Sequence, residues 1–521
     1  MSRSDALPSH QNDSVAVDGR TLTIEAIRRV AEEGAATRVT PQATARALRS
    51  RAVLDGLTER LVPVPGVTTG YGEPVPLTPG SWDEVELQHN LVRSHSCGVG
   101  PLFAEDEARA IVAARLNTLA AGHSSIRPVV LDRLSLYLNR GIVPAVPEVG
   151  SLGAGDLVPL AHLASTLIGE GYVLRDGRPV ETGTVLAAEG VEPLELRFKE
   201  GLALLNGASA TAGVGALVVE RALVQTRQAE LVSALFNDVL RGSGSPFLAR
   251  GHESGHRGQD ESAANMRALL AGSRLVATPA GSGRRAQRAY TLRAVPQILG
   301  AVRDTLRHAR STVETELNAA GDNPLFFEEG EVFHGANFHG QPLAFAMDFV
   351  TIALTQLGVL AERQLDRLLS GHPDVGLPEF LVAANSALNC GFAGAQYTAT
   401  ALVAENRTIG PASTQSVPSN GGSKDVVSMG LTAARNARRV LGNNNRILAV
   451  EFLAAAQAVD VSRGFDDLSP ASQATYDAVR SLVPTLGVDR YMADDIELVA
   501  AALSRGEFLA ALAKYTDVEL R

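Results

Sequence analysis

Cysteine is almost missing from this chain: its 521 residues include two, Cys97 and Cys390. That excludes a disulfide scaffold and makes a reducing cytoplasm the expected location. Met1–Val15 is polar, with Asp5, His10 and Asp13, and lacks the apolar core of a secretion signal. Residues 1–20 read as a disordered leader. No long apolar run is free of polar interruption. The best candidate, Pro342–Leu360, contains Asp348 and Gln356 and reads as a buried helix rather than a membrane span. Positive charge is in deficit, with 47 Lys and Arg against 57 Asp and Glu, a net charge of −10, and the cations are scattered. Neither nucleic acid nor an anionic membrane is therefore the expected partner. The chain has no fixed-period repeat and no low-complexity tract. The glycine-rich Gly242-Ser243-Gly244 lacks the P-loop pattern, which excludes a nucleotide-phosphate cradle of that kind.

What is present is a chain with 45% hydrophobic and 20% charged residues, ordinary for a soluble globular protein. Helical spacing runs through Ala26–Glu33 and Pro41–Arg60, with Thr40 and Pro41 as N-cap and first-turn residues. It continues through Asp106–Leu138 and then Asp156–Ile168, with Asp156 at the helix start. Tyr172-Val173-Leu174 and Pro179-Val180 are strand-like. After residue 200, long Ala/Leu/Val-rich segments dominate: Ala208–Leu240, Tyr290–Asn318, Gln341–Leu369 and Val427–Gln457, then the shorter Ala471–Val483. Such lengths predict a bundle whose central helices are apolar on most sides. Val62–Pro79 reads as a long loop, and the polar, glycine-rich Gly242–Gly283 as a mobile excursion. The reading is all-α, with an N-terminal region over 21–200 and a long-helix bundle over 201–521.

His252-Glu253-Ser254-Gly255-His256 matches the zinc-peptidase pattern HExxH, which works only when both histidines share one helix face. Gly251, Gly255 and Gly258 disfavour a helix there, so no metal site is expected.

Several motifs follow one another along the chain: Thr69-Gly70-Tyr71-Gly72, Asn90-Leu91-Val92-Arg93-Ser94-His95-Ser96, Gly150-Ser151-Leu152-Gly153-Ala154-Gly155-Asp156-Leu157, and Leu205-Asn206-Gly207. Then come Gln287–Arg293, Glu316-Leu317-Asn318 with Asp322-Asn323-Pro324, Asn337-Phe338-His339-Gly340, and Asp425-Val426-Val427-Ser428-Met429-Gly430. Together they resemble the aromatic amino acid ammonia-lyases and aminomutases, and within these the bacterial tyrosine aminomutases. The resemblance implies a fumarase-aspartase-like helical bundle, a homotetramer, and a small aromatic amino acid as substrate. It implies tyrosine 2,3-aminomutase activity on tyrosine or a ring-modified analogue, through an adduct on MIO (a methylidene-imidazolone) and an aryl acrylate. Tyrosine ammonia-lyase is the neighbouring possibility.

The resemblance also carries roles onto single residues. Tyr71 is the base for the β-proton, on a loop that Gly72 lets pack closely over a substrate. A free phenol titrates near pKa ~10, so such a base needs positive potential around it. Arg293 is the carboxylate clamp, a task suited to a bidentate guanidinium. Asn206, otherwise a helix cap, faces substrate and ring, and Tyr290 and Phe338 line the site. His95 stands at the selectivity position, where a polar partner for a phenol penalises an analogue lacking the hydroxyl. Tyr397 lies at a second position near the phenol.

Three departures stand out. The family ring forms from Ala-Ser-Gly, with the serine supplying its exocyclic carbon, but here Ala154 is followed directly by Gly155. Lys424 stands where the family has Glu or Gln facing the substrate amine; a lysine there repels an ammonium or binds an anion. Arg285 stands where the aminomutases place a second tyrosine, and the stretch from Gly251 to Tyr290 is short. A catalytically silent homologue, without the ring, is the rival reading.

Overall fold

A computed structural model describes residues 14–69, 82–253, 255–276 and 289–521. Eighteen α-helices dominate the described residues, and the strands are short. In chain order the helices begin with α1 (Ile24–Glu32), α2 (Pro41–Glu59), α3 (Trp82–His95), α4 (Glu105–Ala120), α5 (Pro128–Arg140), α6 (Leu157–Leu167) and α7 (Thr182–Glu189). The next are α8 (Glu200–Leu205), α9 (Ser209–Val239), α10 (Arg257–Leu269), α11 (Tyr290–Arg293), α12 (Val295–Leu317) and α13 (Gln341–Leu369). The series ends with α14 (Ala393–Arg407), α15 (Gly430–Ser462), α16 (Pro470–Leu482), α17 (Ala493–Ser504) and α18 (Glu507–Tyr515).

The local signals explain most of these boundaries. The Thr23 side chain caps α1 by accepting from Ala26 N, and Thr40 caps α2 by accepting from Ala43 N, with Pro41 in the first turn. Ile24, Ile27, Val30 and Ala31 form the buried stripe of α1, the spacing expected of an amphipathic helix. Three expectations need correction. The apolar run Asp106–Leu138 is two helices, because Gly122 turns left-handed (φ 89°) and Pro128 starts a new first turn. Tyr290–Asn318 is likewise divided, with α11 ending at Arg293 before α12 begins. Gly242–Gly283 is not wholly an excursion: it contains α10, whose Ala263, Met266 and Leu269 are buried. Their helical period is masked in sequence by the polar residues around them.

The chain divides into two compact units. The first comprises residues 1–220, 310–348 and 411–435; the second comprises 221–309, 349–410 and 436–521. All strands among the described residues belong to the first unit. They form a parallel pair (Val15–Val17 with Thr37–Val39), antiparallel pairs (Val99–Leu102 with Pro147–Val149, Leu325–Phe326 with Val332–Phe333) and a three-stranded sheet. That sheet runs Val143–Pro144, Tyr172–Arg175, Arg178–Glu181 and contains the two strands expected from the sequence. One core of this unit joins Leu54, Leu57, Val64, Val67, Phe198 and Phe326; another joins Ala108, Val143, Ala145 and Leu174.

Two stretches, Glu200–Val239 and Asn337–Leu369, are long and apolar enough to cross a bilayer, but 94% and 67% of their most apolar windows are buried inside the protein. Asp348, the charge that interrupts the second, accepts hydrogen bonds from Ala412 N (3.1 Å) and Ser413 N (2.8 Å). A buried carboxylate held by two amides is a packing device of a protein interior.

Candidate active site around the Gly150–Asp156 loop

The loop before α6 is tied down on every side within the first unit. Gly153 has φ 84°, and a Cβ there would stand 2.5 Å from Ser428 Oγ and overlap Gly430 N, so only glycine lets the loop lie against residues 428–430. Met429 N donates to Leu152 O (2.8 Å), Gly155 N to Phe338 O (2.8 Å) and Asp156 N to Gly207 O (2.7 Å). The fully buried Asp156 side chain accepts from Ser151 Oγ (2.7 Å), Thr211 N (2.8 Å) and Thr211 Oγ1 (3.1 Å). Burial pushes its pKa up, and these hydrogen bonds pull in the other direction. The loop's seven-residue motif therefore meets Leu205-Asn206-Gly207, Asn337-Phe338-His339-Gly340 and Ser428-Met429-Gly430, which are far apart in sequence.

Charges surround this loop from beneath. Lys199, at φ 75° before α8, is fully buried and donates to Asp322 (2.6 Å). Arg115 of α4 is fully buried, donates to Ala203 O and to Ser209 Oγ (3.3 Å), and is brought down to a pKa of about 10 by desolvation. Glu316, in the last turn of α12, is pushed up to about 7, mainly by desolvation and also by the charge of Asp156. Ser428 Oγ is buried without a hydrogen-bond partner among the described residues.

The structure brings together four residues singled out from the sequence, Ala154, Gly155, Asn206 and Phe338. Asn206 ends α8 as its C-cap, but its side chain is not a cap. Nδ2 donates to Asn323 O (3.3 Å), and Oδ1 lies 2.9 Å from where a Cβ of Gly155 would be. Phe338 adjoins the same peptide through its carbonyl, beside Ala154 and Gly155. His95 is the last residue of α3, half-buried, with Nδ1 2.9 Å from Leu91 O and 3.0 Å from Ser94 Oγ. A carbonyl oxygen can only accept, so Nδ1 of the neutral ring carries the proton and Nε2 presents a lone pair. Nε2 takes no hydrogen bond from the described residues.

Lys424 closes a tight turn with Ser419 (Ser419 N to Lys424 O 3.0 Å) and is half-buried, and burial lowers its pKa. Tyr290, Arg293 and Tyr397 belong to the second unit. The Arg293 guanidinium lies 4.9 Å over the Tyr290 ring, while Tyr290 and Tyr397 are 72% and 73% exposed in the single chain. Tyr71, Gly72 and Arg285 lie outside the described residues. The HExxH stretch forms no helix through Gly255 (φ 83°), and both nitrogens of His252 are engaged, with Pro246 O (2.8 Å) and Gln259 Nε2 (3.0 Å). Arg115, Lys199, Glu316 and Ser428 were not assigned roles from sequence. Glu316 and Ser428 lie inside the sequence motifs, whereas the signal for Arg115 and Lys199 was charge inside otherwise apolar segments.

The ring of the resembled family needs a side-chain carbon between Ala154 and Gly155. Gly155 has none, and the amides of Gly155 and Asp156 are both held in ordinary peptide hydrogen bonds. The residues present do not fit that group, although Asn206 and Phe338 lie against them.

A family model described as aromatic amino acid lyase matches residues 22–481. The MIO-dependent tyrosine 2,3-aminomutase of Streptomyces globisporus is 67% identical over 527 aligned residues, covering 97% of this chain and 98% of that one. A tyrosine ammonia-lyase of Cupriavidus metallidurans is 53% identical, covering 94% and 96%. The crystal structure of the tyrosine aminomutase from Streptomyces globisporus superposes with a TM-score of 0.94 at 66% identity, covering 98% of this chain and 100% of that one. The all-α bundle and the ordered motifs thus have one explanation: the chain belongs to the aromatic amino acid lyase family.

Proposed function

We propose that this protein is a tyrosine 2,3-aminomutase, which moves the amino group of tyrosine, or of a ring-modified tyrosine, from Cα to Cβ through an aryl acrylate. The observation that carries the substrate class is His95, whose Nδ1 is committed to a backbone carbonyl so that Nε2 is left to accept from a phenol. A phenylalanine ring would leave that acceptor unpaired. The near full-length similarity to the Streptomyces globisporus aminomutase supports the reaction class.

In this reading Tyr71, with Gly72 beside it, removes the β-proton, Arg293 pairs with the substrate carboxylate, and Tyr397 adds a second contact near the phenol. Asn206 orients the amine over Ala154 and Gly155, and Tyr290 and Phe338 wall the aromatic ring. Lys424 disfavours a protonated amine, so the substrate nitrogen is held as the free base. The protein works as a cytoplasmic homotetramer. The exposed faces of Tyr290, Tyr397, Phe349 and Ile352 support this, since such apolar area is normally covered in an assembly. Release of the acrylate and ammonia would make the same site a tyrosine ammonia-lyase, the activity named for the Cupriavidus relative.

A second reading has a specific observation in its favour. The Ala154-Gly155 link offers no carbon for an electrophile, which fits a silent homologue that binds tyrosine without turnover. Intact-mass analysis of the purified protein, with tyrosine turnover followed by chromatography, decides between them. The mutase reading requires a mass that departs from the unmodified sequence at this loop, together with β-tyrosine among the products. An unmodified mass with tyrosine bound but unchanged overturns it.

A further inference from the structure

Three segments of the first unit meet at Gly98, Gly150 and Val158. A Cβ on Gly150 would stand 2.4 Å from Val158 Cγ1 and 3.5 Å from Gly98 Cα, and a Cβ on Gly98 would lie 3.2 Å from both Val158 Cγ1 and Pro147 Cβ. Gly98 follows shortly after His95, Gly150 opens the loop, and Val158 lies in the first turn of α6. Here the part of the chain that carries His95 packs against the part that carries Ala154 and Gly155.

A side-chain hydrogen bond crosses this junction. Gly98 N donates to Nε2 of His162 on α6 (3.0 Å). A ring nitrogen that accepts from an amide carries no proton, so His162 is neutral with its proton on Nδ1. Burial lowers its pKa, which acts in the same sense. The chain on the other side of the bond is short of other holds. His95 is the last residue of α3, where a helix frays unless the chain after it is fixed. Cys97 N donates to His95 O (2.9 Å), and the next amide is the one that His162 accepts. After Gly98 comes Val99–Leu102, a short and largely exposed strand whose register against Pro147–Val149 is irregular.

We propose that His162 is a positioning residue for His95: by accepting from Gly98 N it fixes the end of α3 against α6, and so sets the His95 imidazole relative to the Gly150–Asp156 loop. Its effect on substrate choice rests on the reading of His95 as the acceptor for a phenol. Its hold on the backbone does not.

Two substitutions in the full-length protein test this. His162→Leu removes the acceptor, whereas His162→Gln keeps one, since the Gln carbonyl oxygen reaches about as far as Nε2. Amide hydrogen exchange resolved at Cys97 and Gly98 should quicken about tenfold in His162→Leu, as for the loss of one hydrogen bond, and keep the natural rate in His162→Gln. With tyrosine and phenylalanine binding measured side by side, the preference for tyrosine should fall about tenfold in His162→Leu and return in His162→Gln. Should His162→Leu fold poorly by circular dichroism, His162→Asn, whose shorter amide does not reach Gly98, takes its place. Equal exchange in the natural protein and His162→Leu overturns the proposal, as does the same acceleration in both variants. Faster exchange with the tyrosine preference intact also overturns it, since His162 would then be a structural contact alone. A natural protein with no preference for tyrosine removes His95 from phenol recognition instead, and exchange at Cys97 and Gly98 then decides by itself whether His162 holds the end of α3.

Discussion

In the proposed site a single side chain, His95, sets substrate choice. Its Nδ1 contact to Leu91 O fixes the tautomer, and the remaining lone pair is what a phenol needs. His95→Leu removes that acceptor and should narrow tyrosine-over-phenylalanine discrimination by at least ~100-fold, since sites built to bind a hydroxyl discriminate by 10⁴ or more. Binding or turnover of the two amino acids measured side by side checks this. At Lys424 the opposite change is expected. In the proposed site Lys424→Gln removes a half-buried positive charge that disfavours the ammonium form of the amino acid, and should tighten tyrosine binding roughly fivefold, about 1 kcal/mol. Calorimetric titration reads it directly; unchanged affinity would place Lys424 away from the amine. The buried Lys199–Asp322 pair makes a third case. Lys199→Met strands Asp322 and should destabilise the fold by about 3–5 kcal/mol, most of which Lys199→Met with Asp322→Leu should recover. Equal denaturation midpoints for the single and double variants would remove that pair from the fold's support.

Protonation of Glu316 has a stability consequence whose sign is fixed by linkage. Its folded-state pKa, about 7, is above the ordinary 4.5, so the stabilisation it gives is complete below pH 4.5 and is lost as pH rises through 7. Glu316→Gln should therefore flatten stability over pH 4.5–7, and its denaturation midpoint should exceed that of the natural protein at about pH 8 if the amide is accommodated.

At the scale of elements, the close approach of α10 and α12 in the second unit rests on two glycines. A Cβ at Gly258 would overlap Gly300 O and lie 2.9 Å from Asp304 Oδ1. A backbone oxygen cannot move aside as a flexible side chain can, so Gly258→Ala should cost about 2–3 kcal/mol by overpacking. A thermal-melt series of Gly258→Ala against Gly251→Ala, whose Cβ would meet nothing, isolates the effect. These glycines also show why α10 was hidden in sequence. Glycine and polar residues read as an excursion by local propensity, whereas here small size permits a helix–helix contact. In contrast α1, α2 and α13 were legible almost to the residue. Their caps and apolar stripes are local signals, and burial agrees with propensity.

The whole molecule leaves apolar area open on its second unit, where Ile298, Val302, Phe349, Ile352 and Ala353 line a cleft of about 560 Å³. Ile352→Glu with Phe349→Glu should shift the proposed tetramer to smaller species in size-exclusion chromatography with light scattering, leaving helicity unchanged. An undisturbed tetramer would place the subunit contact elsewhere.

The sequence by itself determined the helical class and the family, because apolar period and motif chemistry are local and repeat along the chain. It also determined that no serine lies between Ala154 and Gly155, a matter of covalent composition that no fold can alter. Only the tertiary structure decided which charges lie beneath the loop. Lys199 and Asp322 are 123 residues apart, and nothing local pairs them. Their burial, and the upward push on the pKa of Glu316, depend on all the chain packed around a group rather than on its neighbours in sequence.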